Sequence, residues 1–207
     1  MALPDFLLLT DQNLQYLDVL VYTAFKWFNN DAEDKCFPMH ETVGKLAGLS
    51  RRFVINSVKR LEDAGIISVV RSKKIREPNH YYFAPPHRNK RLEKIPKDFF
   101  KLTADLSSCE RAMLLCLRQF FHHGFAQFIQ SKPTEFFAKW LGLSTPTVRK
   151  QLNGLFAKGY ISKRYVNGRS QKKNDVWLYL TAKLNWDFSG YAKVPRQSST
   201  YKELILS

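Results

Sequence analysis

Three cysteines in 207 residues are too few, and too unevenly placed, to frame a disulfide-built fold. Cys109 and Cys116 stand seven positions apart on one face of an expected helix and read as small buried apolar residues. Zinc wants closer pairs with histidine partners, and the adjacent His122 and His123 would point about 100° apart on a helix. No apolar run reaches ~18 residues, so no membrane-crossing helix is expected. Leu7, Leu8 and Leu9 lie between Asp5 and Asp11, not behind the basic segment of a cleavable signal; a cytoplasmic location, associated with nucleoid or plasmid, is expected. There is no glycine-rich phosphate loop, hence no sign of nucleotide hydrolysis. Carboxylates number 18, scattered or gathered at Asp31, Glu33 and Asp34, whereas metal-dependent nuclease chemistry needs a converging set. His122-His123 also lacks the spacer of a His-hydrophobic-His metal pair and reads as a pair capping helix-end carbonyls. These absences lead to the expectation of a non-enzymatic protein with no metal and no cofactor.

What is present is positive charge, aromatic bulk and an internal repeat. The formal net charge is +15. Residues 1–84 hold 11 Lys and Arg against 10 Asp and Glu, a net of +1, while residues 85–207 hold 22 against 8, a net of +14. Such a surface implies a polyanionic partner, and nucleic acid is the usual one. No basic amphipathic anchor helix stands at a terminus, which argues against a membrane partner. Sixteen phenylalanines, including Phe120, Phe121, Phe125, Phe128, Phe136 and Phe137, read as core packing. Single-strand stacking platforms belong on a sheet, which the expected architecture does not carry.

Residues 48–68 read GLSRRFVINSVKRLEDAGIIS, and residues 142–162 read GLSTPTVRKQLNGLFAKGYIS. Aligned without gaps over 45–68 and 139–162, nine of 24 positions are identical. The likeness extends upstream, where PDFLLLT (4–10) matches KDFFKLT (97–103). Each copy predicts a long apolar helix (12–29; 107–121, opened by a Ser107/Glu110 capping box), a short helix (40–47; 134–141) and a tight Gly-Leu-Ser turn. Gly48 and Gly142 suit a helix exit that needs positive φ, and Ser50 and Ser144 suit the N-cap of a third helix (51–64; 145–158). Val54, Val58 and Leu61, and Val148, Leu152 and Leu155, form its inward stripe. Gly65 and Gly159 end it, and two strands around a basic tip follow (66–71 and 80–84; 160–165 and 176–181).

This order is that of a winged helix-turn-helix. The expected fold is mainly α with small β-hairpin wings, an α+β class: two tandem winged-helix domains at 1–84 and 98–186, a basic linker at 85–97 and a C-terminal tail at 187–207. Leu61 through Gly65-Ile66-Ile67 resembles the end of the third helix in many bacterial winged-helix regulators. Leu143-Ser144-Thr145-Pro146-Thr147-Val148-Arg149 resembles the core of GntR-type regulators, and the first copy is similar to MarR-like and plasmid-initiator modules. Two such units in one short chain resemble replication initiators of plasmids and mobile elements.

Such a helix enters the major groove N-terminus first, its early exposed residues reaching base edges. The outward side of the first copy carries Arg51, Arg52, Asn56, Ser57, Lys59 and Arg60. Arginine pairs bidentately with guanine, and asparagine with adenine. The second copy presents Ser144, Thr145, Thr147, Arg149, Lys150, Gln151 and Asn153, and the GntR resemblance singles out Thr145, Thr147 and Arg149. The wing tips hold Lys73, Lys74 and Arg76, and Arg169, Lys172 and Lys173; they read either as phosphate contacts or as edge protection. Arg88, Lys90 and Arg91 in the linker read as a strap along phosphates or as solvated charge. The expected partner is double-stranded DNA, with the two modules on successive major-groove segments roughly one turn, ~10–10.5 bp, apart. Three roles fit: a replication initiator, a transcriptional regulator without a ligand-sensing domain, or an adaptor whose nearly neutral first domain, or whose tail, holds a protein.

Overall fold

The computed structural model of the chain describes residues 2–3, 13–30, 36–74, 77–84, 93–119, 127–130, 133–165, 176–184 and 186. In chain order these give β1 (Ala2–Leu3), α1 (Asp18–Trp27), α2 (His40–Ala47), α3 (Arg51–Asp63), β2 (Ile67–Val70), β3 (His80–Phe83), β4 (Glu93–Lys94), α4 (Phe99–Leu102), α5 (Ser108–Arg118), β5 (Gln127–Gln130), α6 (Pro133–Leu141), α7 (Thr145–Ala157), β6 (Ile161–Tyr165) and β7 (Val176–Leu180). The fold is mixed, helical with small antiparallel sheets.

Helix α1 is the centre of the N-terminal half. Every residue from Asp18 to Phe25 is buried, which a helix apolar on nearly all sides requires. It packs against α2, α3 and also α5 of the other half. The helix starts later than position 12. Asn13 takes a left-handed backbone (φ 54°), and the Asp18 carboxylate accepts the Gln15 N–H at 2.8 Å, so a tight turn occupies the expected first turns. Helix α5 opens on the expected capping box, Ser107 and Glu110 satisfying each other's backbone N–H groups, and it too is buried over most of its length.

The turn between the second and third helices is the same in both halves. Leu49 N–H donates to the Gly44 carbonyl at 2.8 Å, and Leu143 N–H to the Ala138 carbonyl at 2.9 Å. Gly48 (φ 71°) and Gly142 (φ 63°) provide the left-handed exit, a conformation that costs glycine no Cβ clash. Ser50 then caps α3 by accepting Phe53 N–H, and Ser144 caps α7 by accepting Thr147 N–H.

Strands β2 and β3 pair antiparallel, Ile67 opposite Phe83. In the C-terminal half, β7 pairs with β6 on one side and with β5 on the other, a three-stranded sheet. The β6 and β7 strands were expected as a wing; the third strand, β5, was not. Its counterpart in the N-terminal half is a single bond, Tyr81 N–H to the Cys36 carbonyl at 2.8 Å. Strands β1 and β4 pair antiparallel and were also not expected. The cysteines are thiols: Cys36 and Cys116 are buried, Cys109 half-buried, and burial pushes the Cys116 thiol well up. Phe99, Phe100, Phe137, Tyr160 and Leu178 belong to the same core as α1 and α5.

Candidate nucleic-acid interface

Helix α3 lies with Val54, Val58 and Leu61 in the core and Arg51, Arg52, Asn56 and Lys59 exposed. Its first turn holds no acid, so nothing there opposes an anion at the helix start. Ile55 shares this outward side at 37% exposure. It was missed in the sequence, although an isoleucine off the i, i+4, i+7 stripe is a legible signal, and an apolar side chain on such a face suits a thymine methyl.

Two residues assigned to this face stand elsewhere. Ser57 is fully buried. Arg60 is turned inward: its Nε and Nη2 donate to the two carboxylate oxygens of the fully buried Asp18 at 2.8 and 2.7 Å. The bond to Asp18 raises the guanidinium pKa further, and the cation also lies over the Phe53 ring, 5.4 Å from its centre. Arg60 thus ties α3 to α1 and is not a free outward cation. The cause is a buried acid from 42 positions earlier, which helix periodicity cannot reveal.

The N-terminal hairpin tip is internally organised. Glu77 accepts from the Ser72 hydroxyl at 2.7 Å and from Lys74 Nζ at 3.1 Å, and both bonds hold its carboxyl below the usual range. Lys73 and Lys74 are exposed, and Lys74 is already ion-paired. Arg71, unassigned in the sequence, is exposed at the base of the hairpin and bridges to Glu62 at the end of α3, Nη1 to Oε1 at 3.0 Å. His40, the first residue of α2, bonds Tyr81 through its Nε2 at 2.8 Å; burial, then the nearby Arg51 charge, lowers its pKa from 6.5.

In the C-terminal half, Arg149, Lys150 and Asn153 of α7 are exposed, and Thr145 and Thr147 half-buried. The hydroxyls of Ser144 and Thr147 lie 2.8 Å apart, so both are engaged in the cap. Gln151 is buried, not outward as expected. Here too a buried acid of the first long helix meets the third, but at different positions: Lys158 donates to Glu110 at 2.7 Å. Burial alone would raise the Glu110 carboxyl; the bonds from Lys158 and Ser107 outweigh it and lower the pKa.

Arg76, Arg169, Lys172, Lys173, Arg88, Lys90 and Arg91 lie outside the described residues, as do His122, His123, the acidic loop at 31–34 and the whole tail at 187–207. Among the described residues no group of three or more His, Cys, Asp or Glu side chains is placed to hold a metal ion. Among them, no helix is long and apolar enough to cross a membrane.

Three helices with a tight turn before the exposed cationic third one define a helix-turn-helix, a class of domain whose usual partner is DNA. Residues 12–67 match the family model of the helix-turn-helix domain, which spans α1, α2 and α3 and ends at the start of β2. No curated protein matches the chain.

Proposed function

We propose that the chain is a sequence-specific binder of double-stranded DNA that uses two winged helix-turn-helix modules, and that it serves as a replication initiator of a plasmid or mobile element. The observation that carries the two-module reading is the recurrence, at an offset of 94 residues, of capped third helices whose outward sides carry Arg51, Arg52 and Lys59 in one half and Arg149 and Lys150 in the other. Each is followed by antiparallel strands in the position of a wing. The initiator role rests on the resemblance of a short chain built from two such units. A transcriptional regulator would use the same contacts, and operator sequences at its own promoter, in place of iterated repeats, would mark that role.

One observation favours a second reading, the adaptor. In the N-terminal half Arg60, Arg71 and Lys74 are engaged with acids, while Phe37, Met39, Val70 and Tyr82 are exposed. Exposed apolar side chains in the half where three cations are engaged by acids suit a protein partner. The deciding experiment is selection of bound sequences from random duplexes by the full chain at two salt concentrations. A sequence preference that survives moderate salt supports a specific reader; its loss leaves a nonspecific binder.

A further inference from the structure

Helices α3 and α7 set out their outward residues in the same frame. Each runs 13 residues from a serine cap that accepts the N–H three positions on, behind a left-handed glycine. A given position in one helix is therefore comparable with the same position in the other. The fifth residue differs in kind: it is Ile55 in α3 and Arg149 in α7, both exposed. Ile55 is framed by cations. Arg51 and Arg52 stand four and three residues before it and Lys59 four after it, all exposed and neighbours on the helix surface. Neither the core nor the helix calls for an isoleucine here. The buried stripe is Val54, Val58 and Leu61, and a β-branched side chain is a weaker helix former than lysine or glutamine. At 37% exposure Ile55 keeps apolar surface in water between three positive groups. In α7 the cap takes up the early hydroxyls, Ser144 and Thr147 lying 2.8 Å apart, and the exposed Pro146 side chain has no donor. Arg149 is thus the first exposed residue within α7 whose side chain can donate.

Resting on the duplex-binding reading above, we propose that the fifth residue of each third helix selects one base, and that the two select by opposite chemistry: Ile55 takes a thymine through its C5 methyl, and Arg149 takes a guanine through O6 and N7. In the major groove thymine alone among the four bases carries a methyl, and guanine alone offers two acceptors to a bidentate guanidinium. An isoleucine laid against the thymine methyl removes apolar surface of both from water, worth about fourfold in affinity for a methyl-sized group. Arg51, Arg52 and Lys59 suit phosphates or purines on either side, but they cannot tell thymine from uracil. Those two bases present the same hydrogen-bonding groups and differ only in the methyl. Ile55 is, among the described residues, the one exposed apolar side chain of α3, so discrimination by this helix falls to it. The two helices then specify unlike sequences although their turns and caps match.

The test uses the full chain. Sequences selected from random duplexes define its site, and each thymine of that site is then replaced in turn by deoxyuridine, which removes the methyl and nothing else. The wild type is expected to lose about fourfold in affinity at one thymine. Ile55→Ser should bind thymine and uracil equally at that position, with every other uracil effect as in the wild type. Ile55→Val, which keeps an apolar tip, should retain the preference. A side chain that only supported the helix would alter overall affinity or melting temperature and leave the thymine-to-uracil ratio untouched. Ile55→Arg should change the selected base at that position from thymine to guanine, by about fivefold or more, and Arg149→Ile should make the reverse change at the position read by α7. An unchanged ratio in Ile55→Ser, a selected base that either exchange fails to move, or a wild type indifferent to uracil at every thymine overturns the proposal and leaves duplex recognition standing. No sequence enriched by the wild type removes both.

Discussion

The guanidinium of Arg60 clasps the carboxylate of Asp18 through two hydrogen bonds, with Asp18 fully buried and Arg60 only 21% exposed. A two-pronged pair in this setting is worth more than its surface equivalents, because removing one partner strands a charge in the core. Arg60→Ala is expected to lower unfolding free energy by about 3–5 kcal/mol, against less than about 0.5 kcal/mol for Arg52→Ala on the exposed side. Urea denaturation of the two variants gives the comparison. Equal small effects would return Arg60 to the outward face.

Gly154, inside α7, replaces a residue type that stabilises helices with one that weakens them, so Gly154→Ala would ordinarily gain about 1 kcal/mol. Here the sign reverses. An added Cβ would stand 2.0 Å from Glu110 Oε1, and Glu110 has no easy retreat: it is held by Ser107 N–H, the Ser107 hydroxyl and Lys158. The substitution is expected to destabilise by about 1–2 kcal/mol, the loss of a cap and of a half-buried ion pair exceeding the gain in propensity. Thermal unfolding measures it; a raised melting temperature would mean that Glu110 is free to move.

His40 supplies a pH dependence with a definite sign. Its folded pKa lies below 6.5, because burial and then Arg51 disfavour the imidazolium. The unfolded chain therefore binds more protons than the folded one as pH falls through about 6.5, and stability drops there. Above that point both states hold neutral histidine and the contribution is flat. His40→Gln should remove this limb. Denaturant midpoints between about pH 5 and 8 test it, and an unchanged slope in the variant would assign the limb to another group.

The features that repeat locally were legible in the sequence. The turn glycines, the serine caps, the Ser107/Glu110 box and the inward stripes of α3 and α7 depend on neighbours within a few positions, and all stand as read. What eluded sequence reasoning depends on distant partners. The Asp18 that turns Arg60 inward and the core that encloses Ser57 and Gln151 are set by packing between helices. Gln127–Gln130 is four residues long, too short for an alternating pattern to separate from chance, so the third strand beside β7 left no trace. The late start of α1 follows from one asparagine in a left-handed conformation and one acid bonded to Gln15, signals that a helical apolar pattern overrides.

The charge split between the halves gives the sharpest functional prediction. Arg51 and Arg52 open α3, and Arg149 and Lys150 lie in the first half of α7, all exposed. If both helices lie in grooves, neutralising either pair with glutamine should weaken duplex binding to a similar degree. A pair that touches two phosphates should reduce the slope of log affinity against log salt by about 1.8. A pair that reads bases should instead relax sequence preference, at about 1–3 kcal/mol per lost base contact, with the slope nearly kept. Because neither pair is buried, stability should change by less than about 0.5 kcal/mol, so a binding loss cannot be traced to unfolding. Titrations at several salt concentrations with wild type and both double variants separate these outcomes. If Arg51→Gln/Arg52→Gln binds like wild type while Arg149→Gln/Lys150→Gln does not, α3 leaves the duplex and the N-terminal half becomes the protein-holding side.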